Sequence, residues 1–471
     1  MRRLILAALP LLATACTVGP DYRRPASPGE NAVWVSAANA GAADLSPWAR
    51  LNDPVLSDLI ARAVAANLDI VEAEARLREV RAQRGVTRAR GLPSTTAKAS
   101  GQQTQTSLNG QFPAADIPFY DRNFSLFDVG FDASWEIDLW GGQRRAIQAA
   151  ERQIDAVRAR AVDIRLQAVA EVVRAYAQLR GSQGALASLR ANVNDAEETA
   201  RIVRQRVQAG EAAGFDESRA KEQARTAAAA LPGLEADMRA AAFRLALLTG
   251  RPPEAMSSLI DTPAALPTLP DNVGVGARAD MLRRRPDIRA AEADLAAATA
   301  NVGVETSNLY PKLSLTGSFS QQSRNPGDLV SGDSFGFAVG PRLSWAIFDA
   351  GRVRAQIGAA NARTDQAAAR YTKAVLGALA DSETAINRYA AAIATVRERD
   401  AARAASRTSL DLARQRYKAG EDDLLAVLQA ETAYSNADRA AAQGWQSALE
   451  SYAALIKALG GGWLEVSPPA S

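Results

Sequence analysis

Few residues in this chain could carry covalent chemistry. Among its 471 residues there is no histidine, and Cys16 is the single cysteine. These counts exclude an intrachain disulfide, a Cys/His zinc site and a histidine general base. The carboxylates are scattered along polar, helix-favouring stretches, and no nucleophile accompanies a base in a catalytic pattern. We therefore expect a protein that is not an enzyme, with no catalytic residue, no bound metal and no cofactor.

The cysteine follows a segment that is typical of protein export. Arg2 and Arg3 precede an apolar run at residues 4–15, and Cys16 comes directly after it. A run of about a dozen residues is too short to span a bilayer as a helix, which needs about 20. A basic start, a short apolar run and small residues before the cut form the pattern of an export signal. Residues 1–15 are predicted to be this signal peptide.

Cys16 is predicted to be lipid-modified. A cysteine directly after a small-residue site resembles the lipobox of bacterial lipoproteins, although Ala13 stands where that motif usually has a leucine. In those lipoproteins an aspartate after the acylated cysteine retains the protein in the inner membrane, and Thr17 stands there instead. We expect residues 16–56 to be a lipid-anchored, extended segment at the outer membrane. Since one acylated terminus is a modest anchor, a second contact with the bilayer is expected.

The charge balance argues against nucleic-acid binding. The formal net charge is +3, and Arg2 and Arg3 supply two of the positive charges. Without its signal peptide the chain is therefore nearly neutral. It lacks the concentrated basic face that binds phosphate backbones. We expect its partners to be proteins and lipid.

The chain contains two copies of one unit. At an offset of about 210 residues Trp135 matches Trp345, and two segments that read Arg-Gln-Arg and then Ala-Gly-Glu also align. Because the order of features is the same in both halves, we predict two structural repeats. The proline-rich stretch between them is predicted to be extended. The predicted divisions are repeat 1 at residues 57–249, a linker at 250–280, repeat 2 at 281–460 and a C-terminal tail at 461–471.

Each repeat is predicted to contain a helix, two strands, a long helix, a turn and a further helix. Residues 143–208 lack proline and are rich in Ala, Arg, Gln and Glu, which favour helix. Apolar residues recur there every seven positions, the pattern of helices that coil around each other. Residues 352–418 are equally long and free of proline, but their apolar seam is weaker. Helices of about 100 Å do not fit into a compact globule.

The strand segments carry the argument for a membrane. They are predicted at residues ~94–108, ~123–139, ~312–324 and ~333–348. In three of these segments aromatic and aliphatic residues alternate with polar ones, which is typical of a barrel strand between lipid and a wet lumen, whereas residues 95–106 alternate only weakly. A soluble antiparallel sheet with one buried face is the alternative. The predicted lipid-facing residues are Phe127, Phe131, Trp135, Phe335, Phe337 and Trp345, and the acidic residues of the opposite face are Asp128, Asp132, Glu136 and Asp138.

Four strands cannot close a barrel by themselves. An open sheet edge leaves backbone groups unpaired, and lipid offers them no partner. The smallest bacterial barrels have about eight strands. At least two chains must therefore share one barrel, and this argument leaves both two and three chains open.

Taken together, the motifs resemble the TolC-like outer-membrane factor family, in the lipoprotein (NodT- or OprM-like) branch that serves resistance-nodulation-division (RND) efflux systems. The resemblance implies a mixed α and β membrane protein. In it, a long coiled-coil α-helical barrel continues into an outer-membrane β-barrel, and both close only as a homotrimer. It also implies a periplasmic adaptor protein and an inner-membrane RND pump as partners. The motifs that carry the resemblance are Cys16-Thr-Val-Gly-Pro-Asp-Tyr-Arg-Arg-Pro25, Leu282-Arg-Arg-Arg-Pro-Asp-Ile288, Leu309-Tyr-Pro311, Arg416-Tyr-Lys-Ala-Gly420 and Ala458-Leu-Gly-Gly-Gly-Trp463.

The same resemblance suggests where adaptors dock and where the channel closes. It places the two periplasmic tips at Gly210 and Gly420, with the adaptor docking there. Just beyond the second tip the family narrows its mouth with an apolar ring and an acidic ring. The apolar position is Leu425, but Gln429 stands at the acidic one, so an acidic pair nearer the tip is expected to supply the charge. The gate candidates are Leu425, Gln429, Asp422 and Asp423.

The expected function is passive conduction of drugs, other small toxic compounds or metal ions across the periplasm and the outer membrane. An energised pump would push the substrate into the duct, and this protein would let it out. The alternative is the exit duct of a type I protein secretion system, which uses the same fold. A periplasmic adaptor should lack the paired aromatic-faced strands, and a soluble coiled-coil scaffold is contradicted by the export signal.

Overall fold

The computed structural model describes residues 17–36, 41–42, 46–107, 121–262, 264 and 266–461. This part of the chain is mostly helical and contains one four-stranded antiparallel sheet in the order β1-β2-β3-β4. The predicted signal peptide and Cys16 lie outside the described residues. In chain order the elements are α1 (Pro54–Ala66), α2 (Leu68–Ala89), β1 (Ser94–Gln105), β2 (Asn123–Ile137), α3 (Gly142–Gln208), α4 (Gly214–Ala229), α5 (Leu231–Leu248), α6 (Ser257–Asp261), α7 (Arg278–Arg284), α8 (Pro286–Ser307), β3 (Lys312–Ser323), β4 (Phe335–Ser344), α9 (Arg352–Ala419) and α10 (Leu424–Ala458).

The chain divides into two compact units. The first unit consists of Met1–Pro25, Leu77–Val157 and Ala291–Tyr371 and contains the sheet. The second unit consists of Ala26–Arg76, Arg158–Ala290 and Thr372–Ser471. Among the described residues, no helix combines the length and the apolar character needed to cross a bilayer.

Helix α3 has 67 residues and buries the seven-residue pattern seen in the sequence. Leu179, Leu186, Val193 and Ala200 are all buried, and each lies one heptad after the one before it. A helix with this spacing presents one continuous apolar stripe to its neighbours. The stripe explains why so long a helix remains ordered without being apolar all round.

Helix α9 has 68 residues and is held differently over part of its length. Along this fully described stretch, no side chain between Ile393 and Leu410 is buried. Arginines bridge to α10 instead, where the Nη1 atom of Arg399 donates to the Ala440 carbonyl oxygen over 2.9 Å. The guanidinium of Arg407 lies 5.2 Å from the ring centre of Tyr434. The weak apolar seam seen in the sequence therefore reflects polar bridges in place of apolar packing.

The second helix of repeat 1 is interrupted near a proline. Helix α4 ends at Ala229, and α5 begins at Leu231 with Pro232 in its first turn. Proline is tolerated there because the N–H groups of a first turn have no helical partner.

The strands are shorter than predicted at several ends. Strand β1 ends at Gln105, β2 at Ile137, and β4 spans only Phe335–Ser344. The prediction that Trp345 lies within a strand is wrong by one residue. Its indole Nε1 instead donates to the Leu309 carbonyl oxygen over 3.0 Å, which ties the end of β4 to the segment after α8.

The two repeats match in fine detail within the first unit. The indole Nε1 of Trp135 donates to the Gly91 carbonyl oxygen over 3.0 Å, as Trp345 donates to Leu309. Gly141 and Gly351, which precede the two long helices, both have positive φ angles of 77° and 82°. Equivalent residues therefore make equivalent contacts at the junction between sheet and helix.

The second unit shows the same duplication at its helix ends. The Nδ2 atom of Asn67 donates to the carbonyl oxygen of Leu248 over 3.0 Å, at the end of α5. In repeat 2, the Nη1 atom of Arg285 donates to the carbonyl oxygen of Ala458 over 3.1 Å, at the end of α10. Each contact satisfies a carbonyl group that a helix end leaves unpaired.

Candidate docking tips and gate

Both long helices end in the same hydrogen-bonded cap. At the end of α3, the N–H of Glu211 donates to the Arg206 carbonyl over 2.8 Å, and that of Gly210 donates to the Val207 carbonyl over 3.0 Å. This pair of bonds is a Schellman motif, which requires a left-handed residue at its centre. Gly210 has the required φ of 77°.

The second tip repeats this geometry around Gly420, whose φ is also 77°. There the N–H of Glu421 donates to the Arg416 carbonyl over 3.0 Å, and that of Gly420 donates to the Tyr417 carbonyl over 3.1 Å. No atom lies within 4 Å of the place that a Cβ would take at either glycine. Backbone conformation, and not crowding, is therefore what demands glycine at the two tips.

The helices that follow the tips begin differently. The Asp423 carboxylate accepts a hydrogen bond from the N–H of Ala426 over 3.0 Å and so caps α10. Helix α4 follows Ala213, which offers no side-chain cap. Leu424 is buried beside α10's start, whereas Phe215, in the first turn of α4, is 68% exposed. The second tip is therefore the more firmly fixed of the two.

The structure places two gate candidates on one face. Leu425 and Gln429 are both exposed and stand four positions apart on α10, so they are neighbours on the helix surface. Leu424 and Leu428 pack on the opposite side, in an apolar cluster with Val203 of α3. Leu425 and Gln429 therefore lie on the side of α10 that faces away from this cluster.

The two acidic candidates have local partners. Asp422 pairs with the Nε atom of Arg416 over 3.2 Å, and Asp423 serves as the cap of α10 described above. Both carboxylates therefore also stabilise the turn.

A partly buried ionic network next to the tips was not predicted from the sequence. Arg414 pairs with Asp195 over 3.0 Å and with Glu431 over 2.9 Å. Glu431 is buried and also accepts a hydrogen bond from Thr199 over 2.9 Å. The network joins α3, α9 and α10. Its only sequence signal was the repeated Arg-Gln-Arg motif that contains Arg414.

The sheet has one face rich in exposed aromatic side chains. Phe131 is 57% exposed and Phe337 is 68% exposed. The opposite face carries paired charges, in which Lys98 contacts Asp132 over 3.1 Å. Asp138 is an exception to the predicted polar face, because it follows the end of β2 and accepts hydrogen bonds from the first N–H groups of α3. It acts as a helix cap.

The segment after Cys16 is attached to the first unit. The N–H of Val18 donates to the Trp140 carbonyl over 3.1 Å. Gly19 lies against Gly303 of α8 so closely that a Cβ on Gly19 would collide with the Gly303 backbone. Arg145 is buried and holds Asp21 over 2.8 Å. These contacts fix residues 17–21 beside the start of α3.

Long proline-free helices, glycine-capped tips and a small sheet with one aromatic face define the protomer of an outer-membrane channel. A family model described as outer membrane efflux protein matches residues 59–251 and 278–461. The chain belongs to this family, which is a family of transport proteins of the outer membrane.

Named relatives cover almost the whole chain. Nodulation protein T of Rhizobium leguminosarum bv. trifolii is 30% identical, over 97% of this chain and 97% of its own length. Outer membrane protein OprJ of Pseudomonas aeruginosa is 32% identical, over 96% of this chain and 94% of its own. The solved structure of the outer-membrane channel OprN has a TM-score of 0.86 and 34% identity, covering 95% of this chain and all of that one. The predicted family, fold class, efflux role and outer-membrane location are confirmed.

Proposed function

We propose that three copies of this chain form a lipid-anchored exit duct that passively conducts small molecules. The observation that carries the proposal is the four-stranded sheet, which combines an exposed aromatic face with an outer strand at each side, β1 and β4. Lipid tolerates aromatic faces but no unpaired strand edge, so further copies must complete a closed barrel. Acylation at Cys16 adds a second attachment to the membrane.

We infer the partners from the family to which the chain belongs. A periplasmic adaptor docks at the tips around Gly210 and Gly420, and an inner-membrane pump delivers the substrate. The duct itself needs no covalent chemistry, and the carboxylates described above serve as caps and ion-pair partners. The face that carries Leu425 and Gln429 narrows the mouth when three copies bring it to a common axis.

The experiment that tests this function uses the full chain purified in detergent. Light scattering should give the mass of three chains, and planar bilayers should show discrete conductance steps. A protein that stayed monomeric and soluble in plain buffer after removal of its acyl group, or that formed no pores, would refute the proposal.

Truncation of the gate residues is expected to widen the mouth. The double variant Leu425→Ala with Asp422→Ala removes an exposed apolar side chain and the ion pair to Arg416. We expect a higher single-channel conductance in planar bilayers, because both changes enlarge the narrowest part of the duct.

A matched control lies on α9, before the second tip. Leu412 is 53% exposed, and its neighbour Asp411 pairs with Arg407 over 3.3 Å. The double variant Leu412→Ala with Asp411→Ala should leave conductance unchanged. Equal conductance for the gate variant and the wild type would remove Leu425 and Asp422 from the gate.

A further inference from the structure

The two hairpins of the sheet are paired in the same register. Strands β1 and β3 both have 12 residues, and Ser94 and Lys312, their first residues, differ by 218. Ser94 lies opposite Ser134, and Lys312 lies opposite Ser344, which is 210 residues after Ser134. The hairpins are therefore the same structure built twice.

The chain also shows how one hairpin joins the next. Strand β2 pairs with β3 in an antiparallel ladder, in which Asp128 lies opposite Gln322 and Gly130 lies opposite Ser320. Within one chain, this is the junction from repeat 1 to repeat 2. In a closed barrel of identical chains, the junction from repeat 2 to the next repeat 1 joins strands of the same two kinds.

We infer that β4 of one copy pairs with β1 of the next copy in the register of the β2–β3 junction. Applying the two offsets to Asp128 and Gln322 places Ala338 opposite Thr104 of the next copy. The same step places Gly340 opposite Gln102 of the next copy. This inference rests on the proposed assembly and adds the strand register of its subunit interface.

A glycine in β4 supports this register. Gly130 in β2 is required because the β3 backbone approaches it closely, and an added Cβ would lie 2.8 Å from the Ser320 Cα. Gly340 is its counterpart in β4, yet no atom lies within 4 Å of the Cβ position there. A β1 strand from the next copy in the inferred register gives Gly340 the close neighbour that explains a glycine at this position.

The alternation of aromatic and polar faces along the strands also agrees with the inferred register. Phe131 lies opposite Ala97, so odd-numbered residues of β1 share the aromatic face of the sheet. In the inferred register, odd positions of β4 meet odd positions of β1. A slip of one residue would turn the aromatic face of β4 toward the polar face of β1, and is excluded on that ground.

Disulfide cross-linking tests the register directly. Cys16 is the only native cysteine, and its proposed acylation leaves it without a free thiol, so only the introduced cysteines can form disulfides. Directly opposite residues lie about 4.5–5.5 Å apart between Cα atoms, within disulfide range, whereas diagonal ones lie about 7–8 Å apart. The variant Ala338→Cys with Thr104→Cys should form covalent trimers on oxidation, visible on a non-reducing gel and lost on reduction.

Two further pairs calibrate the result. Asp128→Cys with Gln322→Cys is the equivalent pair within one chain and should close without linking subunits. The second pair combines Ala338→Cys with Gln102→Cys and leaves Thr104 unchanged. It is shifted by two residues from the inferred register and should give about tenfold less covalent trimer. The inferred register is wrong if the shifted pair cross-links more strongly. It is also wrong if neither pair of β4 and β1 cross-links in a sample that light scattering shows to be trimeric. A monomeric sample overturns the proposed function together with it.

A second measurement does not depend on disulfide geometry. Gly336 and Gly340 are both in β4 and both have open space at the Cβ position. The counterpart of Gly336 in β2 is Leu126, a large side chain, so Gly336→Val should still assemble. Gly340→Val should lose most of its trimer in the same detergent. Equal assembly of the two variants contradicts the inference.

Discussion

Replacement of Arg285 by alanine is expected to lower the free energy of unfolding by about 3 kcal/mol. The Arg285 side chain is only 10% exposed and pairs with Asp287 over 2.6 Å and with Asp381 over 3.4 Å. It also donates to carbonyl oxygens of Ala378 and Ala458. Its removal therefore leaves two carboxylates without this cation, and the Ala458 carbonyl at the end of α10 keeps only the hydrogen bond from the Ser382 hydroxyl. Chemical denaturation in detergent, followed by circular dichroism, measures the change.

Arg283 offers a control two positions away. Its side chain is 61% exposed and lies 3.7 Å from Glu30. Exposed pairs of this kind contribute about 0–1 kcal/mol, so Arg283→Ala should have a small effect. If both variants unfolded at the same denaturant concentration, the contacts of Arg285 would not contribute the stability that is expected from them.

Glu383 is expected to fix residues 26–36 to helix α9 within the second unit. Its carboxylate accepts hydrogen bonds from the N–H groups of Val35 and Ser36, both over 2.9 Å, and pairs with Arg278. Burial raises the pKa of Glu383, but hydrogen bonds from Ser36, Val35 and Arg278 outweigh it and bring this pKa to about 2. Glu383→Gln should lower the free energy of unfolding by about 2 kcal/mol at neutral pH, because it removes charge-assisted bonds.

The pH dependence of this effect has a definite sign. The folded-state pKa of Glu383 lies below its ordinary value of 4.5, so the stabilisation is fully present above about pH 4.5 and is lost as pH falls toward 2. The gap between wild type and Glu383→Gln should therefore narrow from about pH 5 to about pH 3. Hydrogen exchange of residues 26–36 should be faster in the variant.

Glu398 supplies the comparison on the same helix. It is exposed on α9, so Glu398→Gln should change neither the unfolding curve nor the exchange of residues 26–36. A gap for Glu383→Gln that stayed constant between pH 5 and pH 3 would show that its carboxylate charge is not what holds the segment.

Local pattern was enough to predict much of the fold. A seven-residue apolar spacing is a property of one helix, and α3 buries it as the spacing requires. Alternation of side chains likewise revealed β2, because each face of a strand sees one environment. Strand ends were less predictable. Trp345 continues the alternation of β4, but it lies one residue beyond the strand, where its indole donates to the Leu309 carbonyl oxygen in the segment after α8.

Contacts between distant segments could not be predicted from the sequence. The Arg414 network joins residues more than 200 positions apart, and its existence depends on how three helices lie side by side. The glycine caps of the two long helices, in contrast, could be predicted from the sequence. Ala-Gly-Glu at each tip predicts a glycine turn from local conformation alone, and both tips have it. Asp138 shows the limit of such local reasoning, since a polar residue at a strand end can serve the next helix.

The attachment of Val18 to Trp140 also limits where a lipid on Cys16 can go. Two residues of extended chain reach about 7 Å, so the acylation proposed at Cys16 would attach the lipid within a short distance of the junction of β2 and α3. A linker of two residues is too short to let the lipid move far from the folded protein. In the proposed lipid-anchored assembly, the position of Val18 beside Trp140 therefore sets the depth at which the acyl chains enter the bilayer, and this depth is the same for every copy.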